Sequence, residues 1–181
     1  MTRRDVAEPV LPDLLAPGLA VVFCGTAPGT VSAARKQYYA HPQNKFWRVL
    51  YDVGLTPGQL KPSEYAQLLA LGVGLTDIAK HSSGMDSELP RGSLGADAIA
   101  DLRRRIEKFR PATLAFTSLT GGRKFLGRAA EFGPQPQTIG TTAIWILPSP
   151  SPAAHWNWKN HFHVWQALAD HIRKSANSAP T

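Results

Sequence analysis

Leu19-Ala-Val-Val-Phe-Cys24, followed at once by Gly25-Thr-Ala-Pro-Gly29, is the stretch whose reading decides the fold of this chain. Six apolar residues in a row do not alternate, so both faces of the segment are expected to be buried, as in a strand of a parallel sheet. The glycines and the proline then impose a tight loop in which backbone N–H groups can approach a ligand closely. An ordinary strand-to-loop turn has the same composition, and the loop alone does not separate the two readings. It is neither a Walker loop, since no lysine follows the second glycine, nor a Gly-x-Gly-x-x-Gly dinucleotide fingerprint.

Downstream, strand-like and helix-like segments take turns. Phe46, Leu50 and Val53 recur at helical spacing from about residue 44, and Pro62-Ser63 opens a second helix running to about residue 71. Residues 73–78 read as a short strand or loop edge, and residues 80–95, rich in Ser, Gly and Pro, as a loop. A helix over 97–109 carries Ile99, Leu102 and Ile106 on one face and Arg103-Arg104-Arg105 on the other, and Pro111 stops it. A strand over 113–117, a helix over 122–132 and a strand over 143–147 follow. Pro148-Ser-Pro-Ser-Pro152 breaks that strand, and a helix over 159–174 closes the chain. The ends are expected to fray, up to about residue 13 and after residue 175.

This alternation predicts a three-layer αβα fold with a short central, mainly parallel sheet, in one domain over residues 1–181 with its core at about 14–174. In such sheets the ligand lies outside the carboxyl ends of the strands. The loops after Cys24 and Leu147 both fall there, so the site is expected between them.

Composition narrows the function classes. In 181 residues, 20 Lys+Arg against 13 Asp+Glu give a net charge of +7, which attracts polyanions such as nucleic acid or simply keeps the protein soluble. The lone Cys24 excludes a disulfide framework and a protein-held Cys₄ cluster. No apolar run reaches the roughly 18 residues of a membrane span, and the first residues lack the apolar core of a secretory signal. The expectation is a cytoplasmic protein. His161, His163 and His171 lie on the last helix without metal-ligand spacing and read as surface histidines, so no metal site is expected. Cys24 itself reads as a buried, inert thiol.

From Gly25 to Tyr51 the chain runs GTAPGTVSAARKQYYAHPQNKFWRVLY. It resembles the uracil-DNA glycosylase superfamily, nearest to its mismatch-specific uracil/thymine and hypoxanthine branches. The resemblance rests on the Gly-x-x-Pro-Gly loop and on Ala40-His-Pro-Gln-Asn-Lys-Phe-Trp47. It continues through Gly74-Leu-Thr-Asp77 to Leu147-Pro-Ser-Pro-Ser-Pro152, where the family carries its second DNA-binding motif. Ala40–Trp47 is its most specific part.

The resemblance implies a monofunctional DNA repair enzyme that flips uracil, or another deaminated base, out of DNA and hydrolyses its N-glycosidic bond. The implied partners are that DNA and its abasic product. No cofactor and no membrane are implied, and a monomer is expected. Phe46 matches the family's base-stacking position, though a core phenylalanine fits the same spacing. Tyr39 matches the position that walls the pocket against larger bases. Gly25, Thr26, Ala27 and Gly29 line the base, with N–H groups of the last three as donors, and His41 is a further donor unless it merely forms a His-Pro turn.

The family's catalytic asparagine would stand at Ala27, whose methyl cannot orient water. Asn44 and Asp77 are the two candidates to replace it: an amide able to hold water or a base edge, or else a helix cap; a carboxylate able to position water or stabilise a sugar cation, or else a loop aspartate. Ser149 and Ser151 match the phosphate-binding hydroxyls. Ala153 aligns near the family's wedge residue and is small, and His155 and Asn157 lie just beyond it. The alternative is a binding protein of the same fold that holds damaged or abasic DNA with slow or lost chemistry. An unrelated α/β nucleotide-binding enzyme sharing only the glycine loop would leave the later matches unexplained.

Overall fold

A computed structural model of the chain describes residues 7–154 and 158–178. Five strands form one sheet: β1 (Val21–Gly25), β2 (Val73–Asp77), β3 (Thr113–Phe116), β4 (Gly133–Ile139) and β5 (Thr142–Ile146), in the order β2-β1-β3-β5-β4. The pairs β1–β2, β1–β3 and β3–β5 are parallel, and only β4 runs antiparallel, against β5. Every residue of β1 is buried, which is what its unbroken apolar run requires. Val21 and Phe23 face one core and Val22 and Cys24 the other, as the two-residue period of a strand dictates.

Helices cover both faces. Helix α2 (Phe46–Asp52), a 3₁₀ segment (Pro62–Leu71) and α5 (Trp158–Asn177) pack on the Val21–Phe23 side, where Phe46, Trp47, Leu50 and Trp165 are buried. Helices α3 (Ala96–Phe109) and α4 (Leu119–Leu126) pack on the other side, with Leu102, Ile106 and Phe125 against Val22 and Phe116. This is the mainly parallel three-layer arrangement expected from the sequence. No helix among the described residues is long and apolar enough to cross a membrane.

Four local expectations are corrected by the structure. Residues 62–71 are 3₁₀ rather than α-helical, and α1 (Thr30–Arg35) forms where the sequence shows no helical periodicity. Helix α4 starts earlier than expected because Ser118 caps it by accepting the Gly121 N–H at 3.0 Å. It ends at Gly127, whose φ of 108° is a conformation few other residues adopt. β4 is not expected from the sequence at all. Its two prolines cannot donate to a ladder, and they are tolerated because β4 is an edge strand whose register is irregular between Pro134 and Thr138.

The expected fraying up to residue 13 is also corrected. Leu11 is buried, Leu14 bridges to Leu75, and the Asp13 carboxylate meets Lys80 Nζ at 2.6 Å. α5 likewise continues to Asn177.

Candidate active site

Strand order reverses about β1, with β2 on one side and β3 on the other, so the crevice at their carboxyl ends is the topological switch point of the sheet. A cleft of about 840 Å³ opens there. The glycine loop, Asp77, Thr117 and the loop from Ser149 to Ala154 all line it, joining the two loops singled out in the sequence.

At its floor, Asp77 is the last residue of β2 and pairs in register with Gly25. A Cβ on residue 25 would lie 2.6 Å from Asp77 Oδ1, so only glycine leaves room for that carboxylate, while the Tyr39 hydroxyl at 3.7 Å would be in ordinary contact. Tyr39 O–H reaches Thr117 Oγ1 at 3.1 Å, and the Thr117 hydroxyl in turn donates to the Cys24 carbonyl at 3.4 Å. Asp77 is 3% exposed, and its buried Oδ2 has no hydrogen-bond partner among the described residues. Burial pushes its carboxyl up to about 7, with Lys80 and Arg105 pulling it down and Asp13 pushing it further up. A carboxyl that titrates near neutrality in a cleft is suited to general acid or base work.

Behind Asp77 lies a polar network that sequence reasoning missed. Arg105 donates through both terminal nitrogens to the Asp77 carbonyl at 3.2 Å, and also to Thr76 Oγ1. The Thr76 hydroxyl donates to Asp13 Oδ1 at 2.7 Å, and Arg105 pairs with both Asp13 and Asp101. The sequence reading sets Arg103, Arg104 and Arg105 together on the face away from the apolar stripe, although successive helical residues point about 100° apart. Arg105 is instead 14% exposed and turned to the sheet, because one step before Ile106 on α3 lies beside its apolar stripe. No local signal marks Asp13, which sits in a segment expected to fray.

The remaining expected residues fall in two groups. Thr26, Ala27, Gly29, Tyr39, His41 and Asn44 line the cleft, as do Ser149, Ser151 and Ala153. Among the described residues, the N–H groups of Thr26, Ala27 and Gly29 are not taken by other hydrogen bonds. Phe46 does not line the cleft. It is fully buried, and Tyr39 stacks on it with ring centroids 3.9 Å apart and planes 18° apart. The aromatic residues that line the cleft are Tyr38, which is buried, and the more exposed Tyr39, held at φ 51° with Phe46 behind it. His155 and Asn157 lie outside the described residues.

Asn44 Oδ1 accepts the Phe46 N–H at 2.9 Å in a turn that leads into α2, which leaves its amide N–H groups as donors. His41 Nδ1 accepts the Gln43 N–H at 3.1 Å, so in the neutral ring the proton sits on Nε2. Ser149 and Ser151 use their hydroxyl oxygens in two successive turns, accepting the N–H of Ser151 and of Ala153 at 3.2 Å each. The loop they form is tied down by Lys45 N–H to the Pro150 carbonyl and by Trp165 Nε1 to the Pro148 carbonyl, both at 3.0 Å. Opposite it, the loop after β2 is fastened to the glycine loop: Gly84 N–H donates to the Pro28 carbonyl at 2.9 Å, and the Thr26 hydroxyl donates to Asp86.

The arrangement offers N–H donors on one side of the cleft, a desolvated carboxylate at its floor and hydroxyls at its rim. Such a site can hold a planar, carbonyl-bearing group while water is directed at an adjacent atom. Comparison with known proteins agrees with that architecture. The model of the uracil DNA glycosylase superfamily matches residues 12–171. A solution NMR structure from Methanosarcina acetivorans, of a protein provisionally named a uracil DNA glycosylase, superposes with a TM-score of 0.63. It shares 23% identity over 90% of this chain and 96% of its own, a likeness of fold.

Proposed function

The chain belongs to the uracil DNA glycosylase superfamily, and from that premise we propose that it is a monofunctional glycosylase that releases uracil, or another deaminated base, from DNA. The observation that carries this reading is the Asp77 carboxylate, with one oxygen unpartnered among the described residues, at the floor of a cleft lined beside it by the glycine loop and its N–H groups. The proposal extends to the water: with Ala27 in place of the usual asparagine, Asp77 positions it, and Asn44 of the His-Pro-x-Asn segment contacts the base.

In this mechanism a nucleotide leaves the stack and its base enters the cleft against Tyr39, with Phe46 supporting that ring from behind. The N–H groups of Thr26, Ala27 and Gly29 donate to the base carbonyls. They hold the negative charge that develops as the C1′–N bond breaks and its electron pair goes to the base. Asn44 adds an amide donor, and His41 an Nε2–H. The sugar becomes oxocarbenium-like, and Asp77 as carboxylate stabilises it and accepts the proton of the water whose oxygen bonds to C1′. The base departs as an anion and is protonated by solvent, leaving an abasic site. Ser149 and Ser151 grip flanking phosphates, which sets register without reading sequence. The partner is DNA, and the chain acts as one copy.

Single-turnover incubation with labelled oligonucleotides carrying U opposite G, U opposite A, single-stranded U or hypoxanthine tests the reading. Abasic sites are revealed with alkali, and bound product is measured in parallel. Base release at any of these sites supports it, and the ranking of substrates names the preferred base. Tight binding with no release favours the second reading, a damage-binding protein, which the Ala27 methyl favours.

A further inference from the structure

Four large apolar side chains are exposed among the described residues: Tyr51, Leu71, Met85 and Phe132. Met85 is the most exposed, at 53%, and the only one of the four that lines the cleft. Its backbone is held from both sides. The N–H of Gly84 is bound to the Pro28 carbonyl and the carboxylate of Asp86 takes the Thr26 hydroxyl, so both neighbours of Met85 are fastened to the glycine loop. Beyond it the chain closes on itself, the Met85 carbonyl accepting the Glu88 N–H at 2.8 Å. Gly84 takes a φ of 127° to make this turn. An apolar side chain on a slack loop would fold back onto the surface; this one stands in water on an anchored support.

The opposite rim is the loop from Ser149 to Ala154, where the side chain at the wedge position is the methyl of Ala153. A nucleotide withdrawn from a duplex leaves a gap one base thick, and proteins that open base steps fill such gaps with apolar side chains, methionine among them. A methyl cannot span that gap. An unbranched thioether with three rotatable bonds can, and its polarisable sulfur stacks well on aromatic rings.

Resting on the glycosylase reading, we propose that Met85 is the side chain that enters the base stack as the nucleotide leaves it. It thereby determines how well the protein acts on duplex relative to single-stranded DNA. Wedging is needed only where there is a stack to open and a partner base left behind.

The test compares the native chain with Met85→Ala, Met85→Leu and Leu71→Ala, the last an equally apolar exposed site at the other end of β2. Single-turnover release is measured on duplex and single-stranded uracil DNA. In parallel, binding is followed with a duplex that carries 2-aminopurine beside the lesion, whose fluorescence rises when its stacking is broken. The duplex-to-single-strand ratio of rates is expected to fall roughly tenfold in Met85→Ala, to stay within about threefold in Met85→Leu and not to move in Leu71→Ala. The fluorescence response is expected to be lost in Met85→Ala alone. An unchanged ratio, or equal losses on both substrates with the fluorescence response retained, overturns the assignment. If the native chain releases base from neither substrate, the glycosylase reading fails instead, and loss or retention of the fluorescence response decides the role of Met85 on its own.

Discussion

The floor and the rim of the cleft are built on opposite principles. At the floor, Asp77, Tyr39 and Thr117 are fixed by long-range contacts: residue 77 by Arg105, and Arg105 by Asp13, far apart in the chain. At the rim, Ser149 and Ser151 satisfy backbone groups two residues ahead of themselves, and His41 and Asn44 do the same. Buried polar groups in low dielectric are costly to leave unpaired, so the floor is a single coupled unit. The rim is a set of local turns that water can also serve. Changes at the floor are therefore expected to alter chemistry and stability together, whereas changes at the rim alter binding and rate and leave stability in place.

The sharpest contrast is in rate. Asp77→Ala is expected to lower single-turnover base release by roughly 10²- to 10⁴-fold, the usual contribution of a positioned acid or base. Asn44→Ala is expected to cost less, since its amide only donates. If Asn44→Ala abolishes release and Asp77→Ala leaves it intact, the roles of the two residues are reversed.

Next in size is Phe46→Ala. Phe46 stacks on Tyr39 and meets Phe23, Trp47 and Trp165 edge-on. Its loss is expected to lower stability by about 3–5 kcal/mol, as for other large-to-small core changes. Denaturant unfolding reads this directly, and a change under about 1 kcal/mol would place the ring outside the core.

A third difference depends on pH. Asp77 holds its proton up to about 7 in the folded chain, well above the ordinary carboxylate value of 3.8. Below that ordinary value it is protonated whether folded or not. As pH rises to about 7 the unfolded chain gives up the proton and the folded chain does not, so stability is lost across this window and levels off above it. Asp77→Asn should escape this loss, with an advantage over the native chain that grows from about pH 4 to about pH 7 towards about 4 kcal/mol. Thermal unfolding across that range checks it, and an advantage independent of pH would refute it. Base release by the native chain should rise through the same pH region as the carboxylate forms.

The smallest effect belongs to the rim. Ser151→Ala removes one hydrogen bond to a charged phosphate, and affinity for any DNA is expected to fall by about 1.5–3 kcal/mol, equally for every base offered. Binding titrations with uracil-containing and undamaged duplexes test this, and a loss confined to one of them would give Ser151 a part in recognition.

The legibility of the molecule follows the same division. β1 is readable in the sequence because six consecutive apolar residues leave no face of a strand for water, so only a central, doubly covered position suits them. The two cleft loops follow from it, because strand ends and their glycines and prolines are local features. β4 is hidden because Gly133-Pro-Gln-Pro-Gln lacks every local mark of a strand and pairs only because β5 offers it an edge. The aromatic positions are legible but not their order of depth: the resemblance assigns both Tyr39 and Phe46 to the base pocket, and only packing puts Phe46 behind Tyr39.

By itself, then, the sequence determined the central strand and parallel character of the sheet, the superfamily and the two loops between which the cleft lies, since each rests on periodicity or on a contiguous motif. Only the tertiary structure decided that Arg105 turns inward to hold Asp77, that Tyr39 covers Phe46, and that Met85 stands at the rim. Those depend on burial and on partners many residues away, and burial is a property of the packed chain rather than of any segment of it.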